Sequence, residues 1–336
     1  MKFGETFTEF LRGERGRFLQ KCSHIEYKRL KKVLKTCRRC NALKGSDNNG
    51  EEDNQLREDE LTQSTQLYES CPLCDQMFFS ELKKEASDVA GCFSSRVRRI
   101  IHLHSPNSMQ KYFISLCQCF TSNPQTTAQE CRLLIEYVAM NAIALQKILK
   151  KYDKVHCSAN GRIFKSKIRT EHIEPLQSPW LMELGAFYIN FNESSRGNQD
   201  IDGPFSCDLS ATEPIMTLML PDSVKLEYDL TCAICLDTVY KPYALGCGHI
   251  FCKPCACSAA SVMIFQGLKT ASPESKCPIC REVGVYANAL HMMELDLLLK
   301  KHCKETWKER LAAEREEMVK QSKLYWDLQT KLMIGY

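Results

Sequence analysis

Seven cysteines and one histidine between residues 232 and 280 have the types and the spacing of metal ligands. They follow the pattern Cys232-x2-Cys235-x11-Cys247-x-His249-x2-Cys252-x2-Cys255-x21-Cys277-x2-Cys280. Thiolate sulfur and imidazole nitrogen bind Zn²⁺ in structural sites, four to an ion in a tetrahedron, and a C-x2-C pair supplies two sulfurs from one tight turn. Eight such ligands make two closed sites without an open position for a catalytic water. The pattern therefore predicts two structural zinc ions, on which so small a region depends for folding.

The chain contains 20 cysteines, and their setting favours metal binding over disulfides. The N-terminal stretch MKFGETFTEFLRG lacks the apolar centre of a signal peptide. We therefore expect a reducing intracellular location, cytosolic, nuclear or both. The most apolar long window, residues 131–149, contains Arg132, Glu136, Asn141 and Gln146. This window predicts a buried amphipathic helix and not a membrane span.

Four lysines in the stretch KILKKYDK form a second candidate site. Lys147, Lys150, Lys151 and Lys154 recur at i, i+3, i+4 and i+7, which places them on one face of a helix. The two i,i+4 pairs repel each other by a few tenths of a kcal/mol each, and Asp153 points elsewhere. Such a face is most often simply solvated, and the alternative is a site for a polyanion. Nucleic acid is disfavoured because few aromatic residues are interleaved with the basic ones.

The elements that position these residues are mostly helical. The N-terminal half predicts helices at 24–39, 72–104, 105–120 and 126–154, with a polar, acidic insertion at 45–66 that is predicted to be disordered. Residues 192–215 are rich in Ser, Gly, Asp and Asn and predict a linker. We divide the chain into a helical domain (1–175), a closing helical segment and linker (176–224), a cysteine-rich domain (225–290) and a C-terminal helix (291–336). The predicted fold class is mainly α, with a small α+β zinc domain.

The order of the eight ligands resembles the RING finger. PHD and LIM modules place the histidine at other steps, whereas the single residue between Cys247 and His249 is typical of RING. The RING family interleaves its two metal sites. The resemblance implies one site from Cys232, Cys235, Cys252 and Cys255 and the other from Cys247, His249, Cys277 and Cys280. Cys257 lies outside the spacing and is predicted to be a spectator.

The RING resemblance implies binding of a ubiquitin-conjugating enzyme charged with ubiquitin. The family's apolar contact positions match Ile234 and Pro278. In active RING ligases an arginine at the position of Arg281 bridges the conjugating enzyme and ubiquitin, which suits a guanidinium with several donors; a merely solvated arginine is the alternative. The implied catalysis is positioning, without a covalent ubiquitin intermediate. The stretch SAASVMIF stands where many RING domains carry a Trp, which leaves the choice of conjugating enzyme open.

Residues 1–175 resemble the SPX domain through the starting MKFG, the YKRLKKVLK helix and the KILKKYDK helix. The resemblance implies a helical hairpin packed on a bundle of long helices, which binds inositol polyphosphates or pyrophosphates. The matching phosphate-binding cluster is Tyr27, Lys31 and Lys151, the adjoining lysine surface is Lys147, Lys150 and Lys154, and the supporting residues are Lys2, Lys28, Lys32 and Lys35. Several converging cations suit a compact ligand with many phosphates.

Both parts together resemble the plant SPX–RING ubiquitin ligases of the nitrogen limitation adaptation family along nearly the whole chain. This implies ubiquitination of phosphate or nitrate-class transporters by a ligase that is recruited to the plasma membrane and gated by inositol phosphate. The alternative is a non-catalytic phosphate-sensing adaptor with a scaffolding zinc domain. The C-terminal helix is open to three roles: homodimerisation, packing on the zinc domain, or substrate binding. Cys37, Cys40, Cys71 and Cys74 form either a third zinc site or free thiols.

Overall fold

The structure is a computed structural model that describes most of the chain. The described residues are 3–12, 22–36, 72–104, 124–156, 158–171, 173, 176, 178–196, 203–209, 213–220 and 225–335. The predicted insertion at 45–66, the helix predicted at 105–120, Lys2, Cys37, Cys40, Cys71 and the side chain of Cys74 lie outside them. In the ranges just given, no helix combines the length and the apolar character that crossing a membrane requires.

The described parts of the N-terminal half are mainly helical, as the sequence predicts. Its elements are α1 (Phe3–Arg12), α2 (Tyr27–Thr36), α3 (Pro72–His104), α4 (Pro124–His156) and α5 (Asn160–Thr170). The chain divides into two compact units, of which the first contains residues 1–93 and 137–175. Its core is formed by apolar residues at helical spacing, including Leu30, Leu82, Val89, Ile148 and Ile168. Aromatic rings extend this core, with Phe79 lying 4.6 Å from Tyr152 and 4.7 Å from Phe164 between ring centroids.

A buried polar contact fixes the segment that leads into α2. Asn141 on α4 accepts the N–H of Ile25 at 2.8 Å and donates to the carbonyl of Tyr137 at 2.8 Å. The hydroxyl of Tyr137 in turn donates to the carbonyl of Ser23. A buried amide left unpaired costs about 1–3 kcal/mol. These bonds therefore hold the start of α2 against α4.

A disulfide lies close to the same segment. It joins Cys22, which precedes α2, to Cys92 of α3. The cysteine pattern favours metal binding over disulfides and does not predict this bridge, because spacing alone does not show which distant cysteines meet in space. The bridge covalently links the segment before α2 to α3 within the first unit.

The second unit contains residues 94–136 and 176–336. It includes α6 (Pro179–Arg196) and an antiparallel sheet of β1 (Phe205–Asp208), β2 (Ile215–Met219) and β3 (Lys225–Asp229), in that order. Gly185 lets α6 approach the sheet, since a Cβ there would lie 2.7 Å from the ring of Phe205. The composition of residues 192–215 predicts a linker, whereas β1 lies inside that range. The segment's polar composition hid the alternation of buried and exposed residues along the short strands.

The cysteine-rich region (residues 231–291) contains a second small sheet. Its strands are β4 (Pro242–Ala244), β5 (Ile250–Cys252) and β6 (Leu290–His291), with β4 in the middle, and α7 (Lys253–Ala259) follows β5. The predicted fold class is confirmed: the chain is mainly helical, with a small sheet-containing region and a helical C-terminal end. The predicted C-terminal helix is two helices, α8 (Met293–His302) and α9 (Lys304–Ile334), which are separated at Cys303.

Two buried glutamates join α6 to α8. Glu183 accepts the N–H of Glu294 at 2.7 Å and the N–H of Leu295 at 3.3 Å, so it caps the first turn of α8 from another helix. The amide of Asn190 donates to the carboxylate of Glu294 at 3.1 Å. Burial raises the pKa of Glu183 to about 8, although the two backbone N–H groups favour its anion. Glu183 is therefore protonated in the folded chain at neutral pH.

We predict that Glu183 makes the second unit less stable as pH rises from about 6 to 9. The unfolded chain releases this proton above pH ~4.3, whereas the folded chain keeps it up to about 8. Unfolding therefore becomes more favourable with rising pH over this interval. The neutral isostere Glu183→Gln removes this dependence. We therefore expect the difference in melting temperature between Glu183→Gln and the unmodified chain to shift in favour of the variant as pH rises.

The control for this prediction is Glu309→Gln on the exposed face of α9. Its melting temperature should follow that of the unmodified chain at every pH. A difference between Glu183→Gln and the unmodified chain that stays constant from pH 6 to pH 9 contradicts a raised pKa at Glu183.

Candidate functional site

Two short turns of identical hydrogen bonding carry half of the predicted metal ligands. In the first knuckle (residues 231–238), the N–H of Leu236 donates to the carbonyl of Cys232 and the N–H of Cys232 donates to the carbonyl of Asp237, both at 2.8 Å. The second knuckle (residues 276–283) repeats both bonds at 2.9 Å. Leu236 and Arg281 occupy equivalent positions, and each has φ +61°. Each knuckle thus bends back so sharply that its two sulfurs face the same point.

The structure brings the eight predicted ligands together in two clusters. The first cluster is Cys232, Cys235, Cys252 and Cys255, the second cluster is Cys247, His249, Cys277 and Cys280, and within each cluster the ligand atoms lie within 4.8 Å of one another. These are the sets that the resemblance implied. Each cluster takes one pair from a knuckle and the other pair from elsewhere in the chain. The two clusters therefore tie distant segments to each other.

The spacing within the clusters fits zinc. Tetrahedral Zn²⁺ with bonds of ~2.3 Å to sulfur and ~2.0 Å to nitrogen places two sulfurs about 3.8 Å apart and a sulfur and a nitrogen about 3.5 Å apart. The sulfurs of Cys235 and Cys252 are 3.7 Å apart. In the second cluster, Nδ1 of His249 lies 3.4 Å from the sulfur of Cys247 and 3.6 Å from that of Cys277. These three distances match those expected between ligands of one tetrahedral Zn²⁺ ion.

The sheet and α7 position the remaining ligands. Cys252 ends β5, and its sulfur accepts the N–H of Tyr240 at 3.2 Å. Cys255 lies in the first turn of α7, so the strand-to-helix junction turns both sulfurs toward the first cluster. Gly248, with φ +81°, makes the tight turn between the two ligands of the second cluster. Cys257 is buried on α7 and belongs to neither cluster.

The residues predicted to touch a conjugating enzyme are all exposed. Ile234 is 41% exposed, and Pro278 and Arg281 lie at the surface of the second knuckle. The structure adds Leu236 and Ile279, which are 76% and 48% exposed. Sequence reasoning missed them, although each lies next to a ligand in its knuckle. Both knuckles therefore present apolar side chains to solvent.

The first cluster has a neighbour that the sequence did not reveal. Arg310 on α9 donates from its guanidinium to the sulfurs of Cys235 at 3.4 Å and Cys252 at 3.3 Å, and to the carbonyl of Thr238 at 2.8 Å. An arginine in a charged C-terminal helix, 58 residues beyond one of these cysteines and 75 beyond the other, carries no spacing signal. Of the three roles left open for the C-terminal segment, the structure shows packing on the cysteine-rich region.

The lysines predicted as an anion site lie on one face of α4 in the first unit. Lys147, Lys150 and Lys154 are exposed and Lys151 is half-buried. Among the described residues, no carboxylate forms an ion pair with any of the four. The carboxylate of Asp153 is instead engaged by the N–H of Gly161 at 2.6 Å, at the start of α5. The like charges on this face are therefore not compensated within the described chain.

Aromatic residues bring three helices together beside these lysines. The ammonium of Lys147 lies 4.2 Å from the ring centroid of Phe3 on α1, and that ring makes an edge contact with Tyr27 on α2 at 5.3 Å. Lys31 follows Tyr27 by one helical turn and is half-buried. Arg29, on another side of α2, is paired with Glu81 and Glu85 of α3. Lys28 and Lys32 are exposed, and the side chain of Lys35 lies outside the described residues.

Comparison with known proteins gives both a family and full-length relatives. The RING-type zinc-finger family matches residues 232–272. The chain is 59% identical over 338 residues to an Arabidopsis thaliana protein named "Probable E3 ubiquitin-protein ligase BAH1-like" and 55% identical over 346 residues to "Probable E3 ubiquitin-protein ligase BAH1-like 1" of Oryza sativa subsp. indica. It is 41% identical over 348 residues to "E3 ubiquitin-protein ligase NLA" of Arabidopsis thaliana. Each match covers 100% of both chains. No solved structure gives a significant match.

Proposed function

This chain belongs to the family of the BAH1-like and NLA E3 ubiquitin-protein ligases, and on that premise we propose that it positions a ubiquitin-charged conjugating enzyme for transfer to substrate lysines. The observation that carries the proposal is the pair of interleaved Cys/His clusters in a region that matches the RING-type zinc finger. The reaction is aminolysis of a thioester. The ligase contributes orientation of the two reactants and forms no covalent bond to ubiquitin.

Two zinc ions in the two clusters give the cysteine-rich region its rigidity. Each ion, when bound, supplies a tetrahedral cross-link and no open coordination position. The cross-links hold the first and second knuckles in a fixed relation to β5 and α7. This arrangement presents the exposed Ile234 and Pro278 on a stable surface. Apolar side chains of this kind support contact with a conjugating enzyme, and Leu236 and Ile279 enlarge the surface.

Arg281 is the residue proposed to bridge the conjugating enzyme and ubiquitin. Its backbone is fixed by the bond from its N–H to the carbonyl of Cys277 at 2.9 Å, while its side chain is exposed. The side chain of Arg281 thus extends from a fixed backbone position beside the exposed apolar residues. A charge-assisted hydrogen bond from it favours one orientation of the thioester over the many open ones.

The SPX-like part is proposed to bind inositol polyphosphates. The support is the uncompensated lysine face of α4 and its link, through Phe3, to Tyr27 and the start of α2. Each phosphate of such a ligand attracts the lysines, and this attraction exceeds the repulsion among the lysines themselves. Binding is proposed to gate substrate recruitment or transfer. Phosphate or nitrate-class transporters are the predicted substrates, through the family resemblance alone.

We predict that Arg281→Ala slows ubiquitin discharge from a charged conjugating enzyme by about 10- to 100-fold. Loss of one hydrogen bond to a charged group costs about 1.5–3 kcal/mol, which corresponds to that range of rates. Free lysine serves as the acceptor in single-turnover measurements, so substrate recognition does not enter. Arg281→Lys should recover only part of the rate because an ammonium lacks the guanidinium's planar fork.

The matched control for Arg281→Ala is Arg315→Ala, an exposed arginine on α9. It should discharge ubiquitin at the rate of the unmodified chain. Equal rates for Arg281→Ala and the unmodified chain contradict the bridging role.

The same measurement tests the alternative of a non-catalytic adaptor. An unmodified chain that holds its zinc but accelerates discharge from none of a panel of conjugating enzymes would be such an adaptor.

We also predict saturable binding of inositol hexakisphosphate to the full chain in about 0.15 M salt, measured by calorimetry. Lys147→Ala combined with Lys151→Ala should weaken it at least about tenfold, because each lost charge-assisted contact costs about 1.5–3 kcal/mol. The control combines Lys84→Ala with Lys165→Ala, which removes the same charge elsewhere in the first unit. Equal weakening by the two double variants would indicate diffuse attraction and no site. If no binding is detected, the lysines form an ordinary solvated face and not a ligand site.

A further inference from the structure

Arg310 contacts two sulfurs that the chain delivers from different places. Cys235 comes from the first knuckle and Cys252 from the end of β5, and one nitrogen of the guanidinium lies 3.4 Å and 3.3 Å from their sulfurs. The other nitrogen donates to the carbonyl of Thr238 at 2.8 Å. Thr238 pairs with Thr231 in the bridge that closes the first knuckle. A single side chain of α9 therefore spans the outer side of the first cluster.

Three residues of α9 hold Tyr240, which itself touches the cluster. Trp307, Arg310 and Glu314 lie at i, i+3 and i+7 and so share one face of the helix. The ring of Tyr240 lies 5.6 Å from that of Trp307 and 5.3 Å from the guanidinium carbon of Arg310, and its hydroxyl donates to Glu314 at 2.7 Å. The backbone N–H of Tyr240 donates to the sulfur of Cys252. The face of α9 thus reaches the first cluster both directly and through Tyr240.

Glu314 anchors this face electrostatically. Its side chain is 1% exposed, and its carboxylate lies 2.5 Å from the ammonium of Lys241 and 3.6 Å from that of Lys253. Burial opposes its ionisation, but the hydrogen bonds from Lys241 and Tyr240 and the charge of Lys253 lower the pKa of Glu314 below its ordinary value. Glu314 is therefore an anion at neutral pH. Its charge is paired with those of Lys241 and Lys253, while the guanidinium of Arg310 faces the two sulfurs.

We infer that Arg310 is a positioning residue of the first metal centre and that its contacts from α9 slow the loss of zinc from that centre. This inference rests on the proposed binding of zinc by the two clusters. Four thiolates around Zn²⁺ carry a net charge of about −2, whereas three thiolates and a neutral imidazole carry about −1. The first cluster thus has the greater need of a nearby cation. N–H donors to metal-bound sulfur also fix its orientation, and loss of such outer contacts typically costs 10- to 100-fold in metal affinity.

The test measures zinc release from the full chain to a chromogenic chelator in excess. The unmodified chain should hold two zinc ions and release both slowly. In Arg310→Ala, one ion per chain should leave about 10- to 100-fold faster, while the other keeps its rate. Arg310→Lys, which keeps the charge, should recover part of the retention, and Arg315→Ala should release both ions like the unmodified chain.

Cobalt substitution separates a direct contact with sulfur from mere packing. N–H donors lower the energy of the sulfur electrons, so their loss should move the sulfur-to-cobalt charge-transfer band of the first cluster to longer wavelength. Arg310→Gln retains a donor without the charge and should shift this band less than Arg310→Ala. The variant Trp307→Ala loosens the packing of the Tyr240 side chain but removes no N–H donor to sulfur, so it should shift the band less than Arg310→Ala does.

Three outcomes overturn the inference. Release of both ions by Arg310→Ala at the unmodified rates excludes a role at the first cluster. Equal acceleration of both ions, with an unchanged cobalt band, indicates a general loss of stability instead of a contact with sulfur. An unmodified chain that holds fewer than two zinc ions overturns the metal assignment itself, and that result is seen before any variant is compared.

Discussion

Thiolates repel one another at the distances seen in the two clusters, and a cation at the centre of each set offsets this repulsion. Within the two knuckles only Cys232 and Cys277 are buried, so hydrophobic packing contributes little to the stability of these turns. The interleaving of the clusters makes each cross-link long-range, since Cys235 meets Cys252 and Cys247 meets Cys277. A metal ion that joins such distant segments restricts the unfolded chain and orders the knuckles at the same time. The exposed apolar residues of both knuckles then sit on a rigid base.

Like charges also lie close together on α4, but there no described residue of opposite charge approaches them. The thiolates of the first cluster are approached by Arg310, which is held by α9. The lysines of α4 form no ion pair with a described carboxylate, and Asp153 is turned toward Gly161. Arg310 thus offsets the charge of the first cluster, whereas no described residue offsets the charge of the lysines, which leaves these lysines available for a soluble anion. This contrast is a stronger argument for a ligand than the number of lysines.

Features that arise from contacts between residues close in sequence could be predicted, whereas contacts between distant residues could not. The ligand spacing, the face shared by Lys147 and Lys151, and the helical N-terminal half arise from contacts within a few residues, and all could be predicted. The strands β1 to β3 are short, and their polar connections resemble a linker. The capping of α8 by Glu183 and the contact of Arg310 with the sulfurs join residues roughly 60 to 110 apart. Neither leaves a pattern in one sequence, because any buried glutamate or helical arginine looks the same.

The extent of the ligase module also follows from these contacts. The predicted boundary at residue 290 falls inside β6 (Leu290–His291), and α9 adds contacts well beyond it. Gln321 accepts the N–H of Ile264 at 2.9 Å, and Tyr325 contacts the ring of Phe265 at 5.8 Å. These pairs, together with Arg310 and Glu314, attach α9 to the region over more than four turns. A fragment that ends at residue 290 would expose the buried face of Tyr240 and leave Lys241 and Lys253 without their anion. The physical unit that contains the first cluster therefore runs from the first knuckle to about residue 325, with α9 as one of its structural elements.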